Sequence, residues 1–314
     1  MGESVRVVVI TGPTASGKSS MALKLASRFD AEIVNADSMQ VYRGMDVGTA
    51  KLRPEERQGI PHHLLDVVDP DEAFHAALYR SHALRAIREI RDRRKNPFVV
   101  GGTGLYIRSL LGGLVACPPV DSALRDRLRR ECDEQGPAVL HARLRELDPE
   151  SAGRIHPNDR VRILRALEMM GLSRKPHSEA LSMHAFSDRP FLELKICLQI
   201  EREELYHRIN ERCLRMFEEG LIEETKGLLR KGFSRDLKSM RSIGYRHVIR
   251  FLEGDWDYGT AVREMQTDTR RYAKRQLTWF RADPEMVWLH PKDEEAMATK
   301  IAHFLTEKVR PRDL

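Results

Sequence analysis

Between residues 5 and 118, short runs of β-branched and other apolar residues alternate with longer stretches whose apolar positions recur every three or four residues. VRVVVI, AEIVNAD, HHLLDVV and PFVVGG read as buried strands, and SSMALKLASRF and YRSHALRAIREIRDRR read as amphipathic helices. That rhythm predicts an α/β fold built on a parallel sheet flanked by helices.

From Pro118 the strand signal vanishes for some seventy residues. Leu124, Leu128 and Cys132 recur at four-residue spacing, and Leu140, Leu144 and Leu147 share one face. Val161, Leu164 and Leu167 repeat every third position after Asn158-Asp159, a plausible cap. These patterns predict an all-helical insert. KICLQI, residues 195–200, reads as a strand returning to the sheet; helices follow to about residue 281, then a late strand VWLH and a final helix. The expected organisation is a core of residues 1–118 and 195–314, interrupted by a helical insert of residues 119–194. The chain carries no internal repeat or low-complexity tract.

With 314 residues, two domains or one domain with a sizeable insert are expected. Apolar residues make up 41% and charged residues 32%, which excludes a disordered or fibrous class. No apolar stretch approaches the roughly 20 residues of a membrane helix, and MGESVRVVVITGP lacks the core of a signal peptide. The expectation is a soluble, cytoplasmic protein with no membrane association. Cys117, Cys132, Cys197 and Cys213 form no C-x-x-C pair and no zinc-like spacing with histidine, so four reduced, mostly buried thiols are expected. The net charge of +6 hints at a polyanionic partner.

The strongest local signal is Gly12, Pro13, Thr14, Ala15, Ser16, Gly17, Lys18 and Ser19, which satisfies G-x-x-x-x-G-K-[ST] between a strand and a helix. Such glycines let the backbone fold around a phosphate, whose charge then meets free N–H donors and the positive end of the helix. Lys18 supplies a point charge. Ser19 is the expected Mg²⁺ ligand, since a hard cation takes oxygen donors and keeps several waters. The loop therefore predicts binding of a di- or triphosphate, in a P-loop NTPase-like core.

About twenty residues on, Asp37 and Ser38 end a predicted strand, at the sheet edge where open α/β folds bind ligands. Asp37 suits a Mg²⁺ contact through water, a general base, or simply a helix N-cap. Gly101, Gly102, Thr103 and Gly104 form a second turn of small residues, which suggests close approach of a substrate to the backbone. His62 and His63 project in different directions, so packing or hydrogen bonding suits them better than a metal. Asp66 and Asp69 follow an apolar run and keep a Mg²⁺-dependent kinase in view. Two basic stretches, with Arg160, Arg162 and Arg165 in one and Arg270, Arg271, Lys274, Arg275 and Arg281 in the other, fall on predicted helices. In isolation each reads as a solvated face, and the alternative is a track for nucleic-acid phosphates.

Taken together, GPTASGKS, NADSMQVYRGMDVGTAK, PHHLLDVVDP, VGGTGLYIRSLL, IHPNDRVRILRALE, SMRSIGYR and AKRQLTWFR resemble the tRNA dimethylallyltransferase (tRNA isopentenyltransferase) family, in that family's order, from residue 12 to about residue 281. The resemblance implies transfer of a dimethylallyl group from dimethylallyl diphosphate to the N6 amine of the adenosine 3′ to the anticodon, with Mg²⁺ and release of diphosphate. It implies Asp37 as the base, and Lys18, Thr103 and Arg212 as further catalytic residues, with Arg208 the second choice for the diphosphate-contacting arginine. It also implies that the insert grips the anticodon stem-loop of tRNA. The implied tRNA contacts are Asp37, Ser38, Met39, Gln40, Thr103 and Arg125; Val161, Arg162, Ile163, Leu164 and Arg165; Arg241, Ser242, Ile243, Gly244, Tyr245 and Arg246; and Lys274, Arg275, Gln276, Leu277, Thr278, Trp279, Phe280 and Arg281. With no Cys/His cluster of the kind eukaryotic members append, the bacterial form is expected, as a monomer. The competing readings are a P-loop small-molecule kinase, which needs ATP turnover and no RNA surface, an adenylate isopentenyltransferase with a free nucleotide as acceptor, and a non-enzymatic RNA-binding P-loop protein.

Overall fold

A computed structural model describes residues 5–114, 121–173, 176, 178, 179 and 188–307. Six strands, β1 (Val5–Thr11), β2 (Ala31–Asn35), β3 (His62–His63), β4 (Asn96–Val100), β5 (Phe191–Leu198) and β6 (Val287–Leu289), form one sheet in the order β3-β2-β4-β1-β5-β6. All pairings are parallel, with β1 central between β4 and β5.

The near-continuous apolar run of β1 follows from burial on both faces. Side chains alternate with period two, so Val7 and Val9 enter one core while Val8 and Ile10 enter another. The first core is closed by helices that include Ala76–Asp92, Arg202–Glu218, Tyr245–Leu252 and Tyr258–Arg281. The second is closed by Lys18–Arg28 and Glu294–Thr306, through Met21, Leu25, Met297 and Ile301. Because every strand points the same way, the loops leaving β1, β2 and β4 emerge together at one edge.

The chain divides into two compact units, one of residues up to 111 together with those from 190 onward, the other of residues 112–189. The second unit is helical where described, with Ser122–Gln135, Pro137–Leu147, Pro149–Arg154 and Arg160–Ser173 packed around Leu128, Cys132, Leu140, Leu144, Ile163 and Leu167.

Several expectations need correction. HHLLDVV is a strand only at His62–His63, because Leu64 and Asp66 take left-handed backbone conformations that end the extended run. The returning strand begins at Phe191, inside the stretch expected for the insert. Its first four residues pair with Val5–Val8 but are only half-buried, so FLEL lacks the continuous apolar signature that KICL carries. In the second unit Leu147 is exposed, and so is Val161, at 77%. The buried face of Arg160–Ser173 runs instead through Ile163, Ala166, Leu167 and Met169. Asp159 does cap that helix, its carboxylate accepting from the Arg162 amide at 3.1 Å. Cys132, Cys197 and Cys213 are free and buried; Cys117 lies outside the described residues.

Candidate active site

The phosphate-type loop is shaped by local backbone chemistry. Gly12 sits at φ +145°, where an added Cβ would lie 3.0 Å from the Leu198 carbonyl oxygen of β5. Gly17, at φ +84°, stands in the left-handed region immediately before Lys18–Arg28 begins. The loop so formed buries Ser16 completely, and its Oγ has no hydrogen-bond partner among the described residues. Lys18 Nζ donates to the Pro13 carbonyl at 2.7 Å.

Two residues beyond β2, Asp37 turns into the same space. Its Oδ1 accepts from the amides of Met39 (2.8 Å) and Gln40 (3.4 Å), so the capping role foreseen for it is met by one oxygen and closes a turn rather than starting a helix. Oδ2 takes no hydrogen bond among the described residues. Thr103 is brought alongside by its amide, which donates to the Ala36 carbonyl at 3.0 Å, and its Oγ1 accepts from the Ser38 amide at 2.9 Å.

A helix from the far end of the chain completes the wall. Gln276 is buried and bridges two loops: its Oε1 accepts from the Thr14 amide at 2.8 Å and its Nε2 donates to the Gly102 carbonyl at 2.9 Å. One turn earlier, Tyr272 lines the same cavity as Asp37, and burial together with the nearby Asp37 charge pushes its phenol well above its ordinary value. The small residues of the second turn are thereby explained by the protein itself rather than by a substrate. A Cβ at Gly101 would strike the Ala36 backbone at 2.3 Å, one at Gly102 the Gln276 amide at 2.3 Å, and one at Gly104 the Trp279 ring at 2.2 Å.

The resulting space has three neighbouring parts that share lining residues. A small cavity of about 90 Å³ contains Lys18, Ser19, Asp37, Gln40, Arg212 and Tyr272. A wider opening of about 560 Å³ spreads from Gly17, Lys18 and Ser19 to Arg208, Arg212 and Arg215. A chamber of about 280 Å³ is bounded by Met39, Cys213, Met216, Ile243 and Met265, with Asp37, Arg212 and Tyr272 at its polar end. Arg212 borders all three, whereas Arg208 borders only the opening and is engaged by Glu204 at 2.6 Å.

Electrostatically this is a site with too few anions. Lys18 is pushed down to about 8 by burial and by the Arg212 charge, with Asp37 only partly compensating. Arg212 is likewise lowered by burial against the attraction of Asp37. Two cations held around one carboxylate have an unmet demand for negative charge.

Ser19, at the mouth of the loop, lines both the small cavity and the opening. Among the described residues no group of three His, Cys, Asp or Glu side chains converges as a metal cage. A single hydroxyl beside a phosphate-type loop nevertheless suits Mg²⁺, which is usually held by one or two protein oxygens, substrate phosphates and water. Asp66 and Asp69 do not join the site: Asp66 accepts from Lys51 at 2.6 Å and Asp69 from Arg43 at 3.1 Å. His62 borders the small cavity with Nδ1 bonded to the Ile60 carbonyl, and His63 pairs with Glu32 at 2.7 Å.

Other residues expected at an RNA surface divide by exposure. Lys274, Arg275, Thr278, Trp279 and Arg281 are exposed and Leu277 is half-buried; Arg241 pairs with Asp236 and Arg246 with Asp268. Ser242 and Ile243 border the apolar chamber, and Gly244 caps Tyr245–Leu252 at φ +98°. Tyr245, Gln276 and Phe280 are buried, so these three are corrected from surface to interior positions. In the second unit Arg162 is exposed and Leu164 half-buried, while Ile163 is fully buried and is corrected in the same way. Arg125 and Arg165 there both pair with the buried Glu168, at 2.7 and 3.0 Å. Sequence reasoning missed Tyr272 and the bridging role of Gln276. Their trace was a glutamine in the apolar stripe of Tyr258–Arg281, with the tyrosine one turn before it.

A family model described as IPP transferase matches residues 40–283. A tRNA dimethylallyltransferase of Geobacter sulfurreducens is 52% identical over 96% of this chain and 98% of its own length. One from Desulfosudis oleivorans is 50% identical over 92% of both chains. Among solved structures, a tRNA isopentenylpyrophosphate transferase from Bacillus halodurans is similar with a TM-score of 0.72 and 39% identity, covering 96% of this chain and 97% of that one. A eukaryotic dimethylallyltransferase, described as acting on tRNA, is similar with a TM-score of 0.83 and 29% identity over 99% of this chain and 82% of that one.

Proposed function

The chain belongs to the IPP transferase family of tRNA dimethylallyltransferases, and from that premise we propose that it transfers a dimethylallyl group from dimethylallyl diphosphate to the N6 amine of the adenosine 3′ to the anticodon of tRNA, releasing diphosphate. The observation that carries the reading is the anion-deficient pair Lys18 and Arg212, opening on one side to the phosphate-type loop and on the other to an apolar chamber with Asp37 at its polar end. A donor with a charged head and a short apolar tail matches that sequence of environments.

In this reading the diphosphate lies against the amides of residues 14–19, Lys18, Thr103 and Arg212. These groups stabilise the charge that grows on the leaving oxygen as the allylic C–O bond breaks. Ser19 would hold Mg²⁺, which would supply further positive charge to the diphosphate. The adenine amine is a weak nucleophile because its lone pair is delocalised into the purine. Asp37 takes the N6 proton as the new N–C bond forms, Oδ2 being the oxygen left open for it. The Met39 and Gln40 amides keep that carboxylate oriented. The target base must leave its stack to reach the chamber, which is the usual requirement for chemistry on a base.

The tRNA surface is assigned to the exposed residues Lys274, Arg275, Thr278, Trp279 and Arg281, with Arg241 and Arg246, and, in the helical insert, to Arg125, Val161, Arg162 and Arg165. Most of these are cationic side chains suited to phosphates, so they set affinity more than identity. The polypeptide acts as a monomer in this reading.

The deciding experiment incubates the protein with Mg²⁺, labelled dimethylallyl diphosphate and either bulk tRNA lacking the modification or AMP. Label in tRNA is expected. Label in AMP alone would indicate a cytokinin-type adenylate isopentenyltransferase, and label in neither, with ATP consumed instead, would indicate a kinase.

A further inference from the structure

Glu224, on helix Leu221–Arg230, belongs to none of the groups given a chemical role above, yet its carboxylate is fully committed. Oε2 accepts from the amides of Asp46 (2.9 Å) and Val47 (2.8 Å), while Oε1 accepts from the Gly48 amide (3.0 Å) and the Tyr245 hydroxyl (2.6 Å). No cation pairs with it among the described residues. The three amides belong to the start of the tight turn Val47–Thr49, where the turn's own bonds leave N–H groups unpaired. Tyr245 is fully buried, and a Cβ on Gly48 would meet its ring at 2.6 Å. The turn is therefore held by a carboxylate and an aromatic ring that are themselves hydrogen-bonded to each other.

What the clamp presents to the site is the Thr49 carbonyl. It accepts from the Gln40 side-chain amide at 3.1 Å and from the Arg212 guanidinium at 3.4 Å. Arg212 is the side chain that borders all three parts of the site and has no carboxylate within ion-pair distance among the described residues. With so few other restraints, where its guanidinium rests depends on where that carbonyl is held.

We propose that Glu224 is a positioning residue of this site: through the amides of residues 46–48 it fixes the Thr49 carbonyl, and through that carbonyl the orientation of Arg212. The proposal rests on the reading of Arg212 as a diphosphate contact. Its backbone partners at residues 46–48 are separated from it by about 180 residues of sequence, so no local motif announces it.

Glu224→Gln tests it. The amide keeps the volume but in either orientation turns its NH₂ toward at least one backbone N–H of the turn, leaving that amide unpaired. Hydrogen exchange at residues 46–48 should quicken, and affinity for dimethylallyl diphosphate should fall by roughly tenfold or more, since misplacing a binding group by about an ångström has effects of this order. tRNA affinity should not change. In an Arg212→Lys background, which keeps a positive charge but lacks the guanidinium nitrogen that meets Thr49, the same substitution should cost less than about twofold. Effects of the two substitutions that simply multiply, or unaltered exchange at residues 46–48, would overturn the proposal. Should Glu224→Gln fail to fold, Tyr245→Phe removes one of the four bonds and must show the same coupling to Arg212 at smaller size. A wild-type protein that binds no dimethylallyl diphosphate would remove the site reading and this proposal with it. Binding that is lost in Lys18→Met but indifferent to Glu224→Gln would overturn this proposal alone.

Discussion

The lowered affinity of Lys18 for its proton makes donor binding depend on pH in a way the structure specifies. Its ordinary value of 10.5 is reduced to about 8 by burial and by Arg212. That difference corresponds to about 3 kcal/mol of disfavour for the charged form in the empty site. A bound diphosphate supplies the missing negative charge and raises the value again. Binding therefore favours the protonated lysine: affinity is complete below pH 8 and declines above it, by as much as about tenfold per pH unit, until the value in the complex is reached. The folding contribution has the opposite sign to that of a stabilising lysine pair. Between pH 8 and 10.5 the unfolded chain holds more protons at this position, so the penalty on the ligand-free fold is fully present below pH 8 and disappears as pH rises through that window. Equilibrium binding of dimethylallyl diphosphate without tRNA, measured from pH 7 to 10 for wild type and Lys18→Met, isolates the lysine from titration of the ligand. The variant should bind about 10- to 100-fold more weakly at pH 7, as expected for a lost charge-assisted contact, and the two curves should converge at high pH. Parallel curves across the range would refute the assignment of Lys18 to the diphosphate.

Asp37→Asn should lower single-turnover prenylation by about 10²- to 10⁴-fold with tRNA affinity nearly intact, and an unchanged rate would remove it as base. Replacing Arg271 and Arg275 together with Ala should weaken tRNA binding and flatten its dependence on salt; an unaltered slope would return that helix face to solvent. Gln276→Leu leaves the Thr14 amide and the Gly102 carbonyl without their buried partner, so thermal unfolding should show a loss of about 1–3 kcal/mol, against no change if the bridge is incidental.

The elements that sequence reasoning located well are those encoded within a few residues of themselves. β1, the loop of residues 12–19 and helix Lys18–Arg28 follow from an apolar run, glycines at positions needing positive φ, and an amphipathic repeat, all within a span of 24 residues. Where the pattern misled, a neighbour distant in sequence was responsible. HHLLDVV has the composition of a strand, but its left-handed residues follow the course of an edge segment whose Val67 and Val68 amides bond to Val41. The small residues at 101–104 looked like room for a ligand, and it is Ala36, Gln276 and Trp279 that occupy it.

The sequence alone determined the fold class, the phosphate-type loop and the family, because each is written in local periodicity or in motifs whose residues stand close together. It also placed Asp37, Lys18 and Thr103 at one edge of a parallel sheet. Only the tertiary structure showed that Arg212 borders all three parts of the site while Arg208 borders the opening alone, that Gln276 bonds to Thr14 and Gly102 from 262 and 174 positions away, and that Glu224 holds the turn bordering Arg212. Hydrogen bonds of that kind form between groups brought together by packing of the two cores. A glutamine or glutamate carries no mark, in its own neighbourhood, of the backbone amides that it will find there.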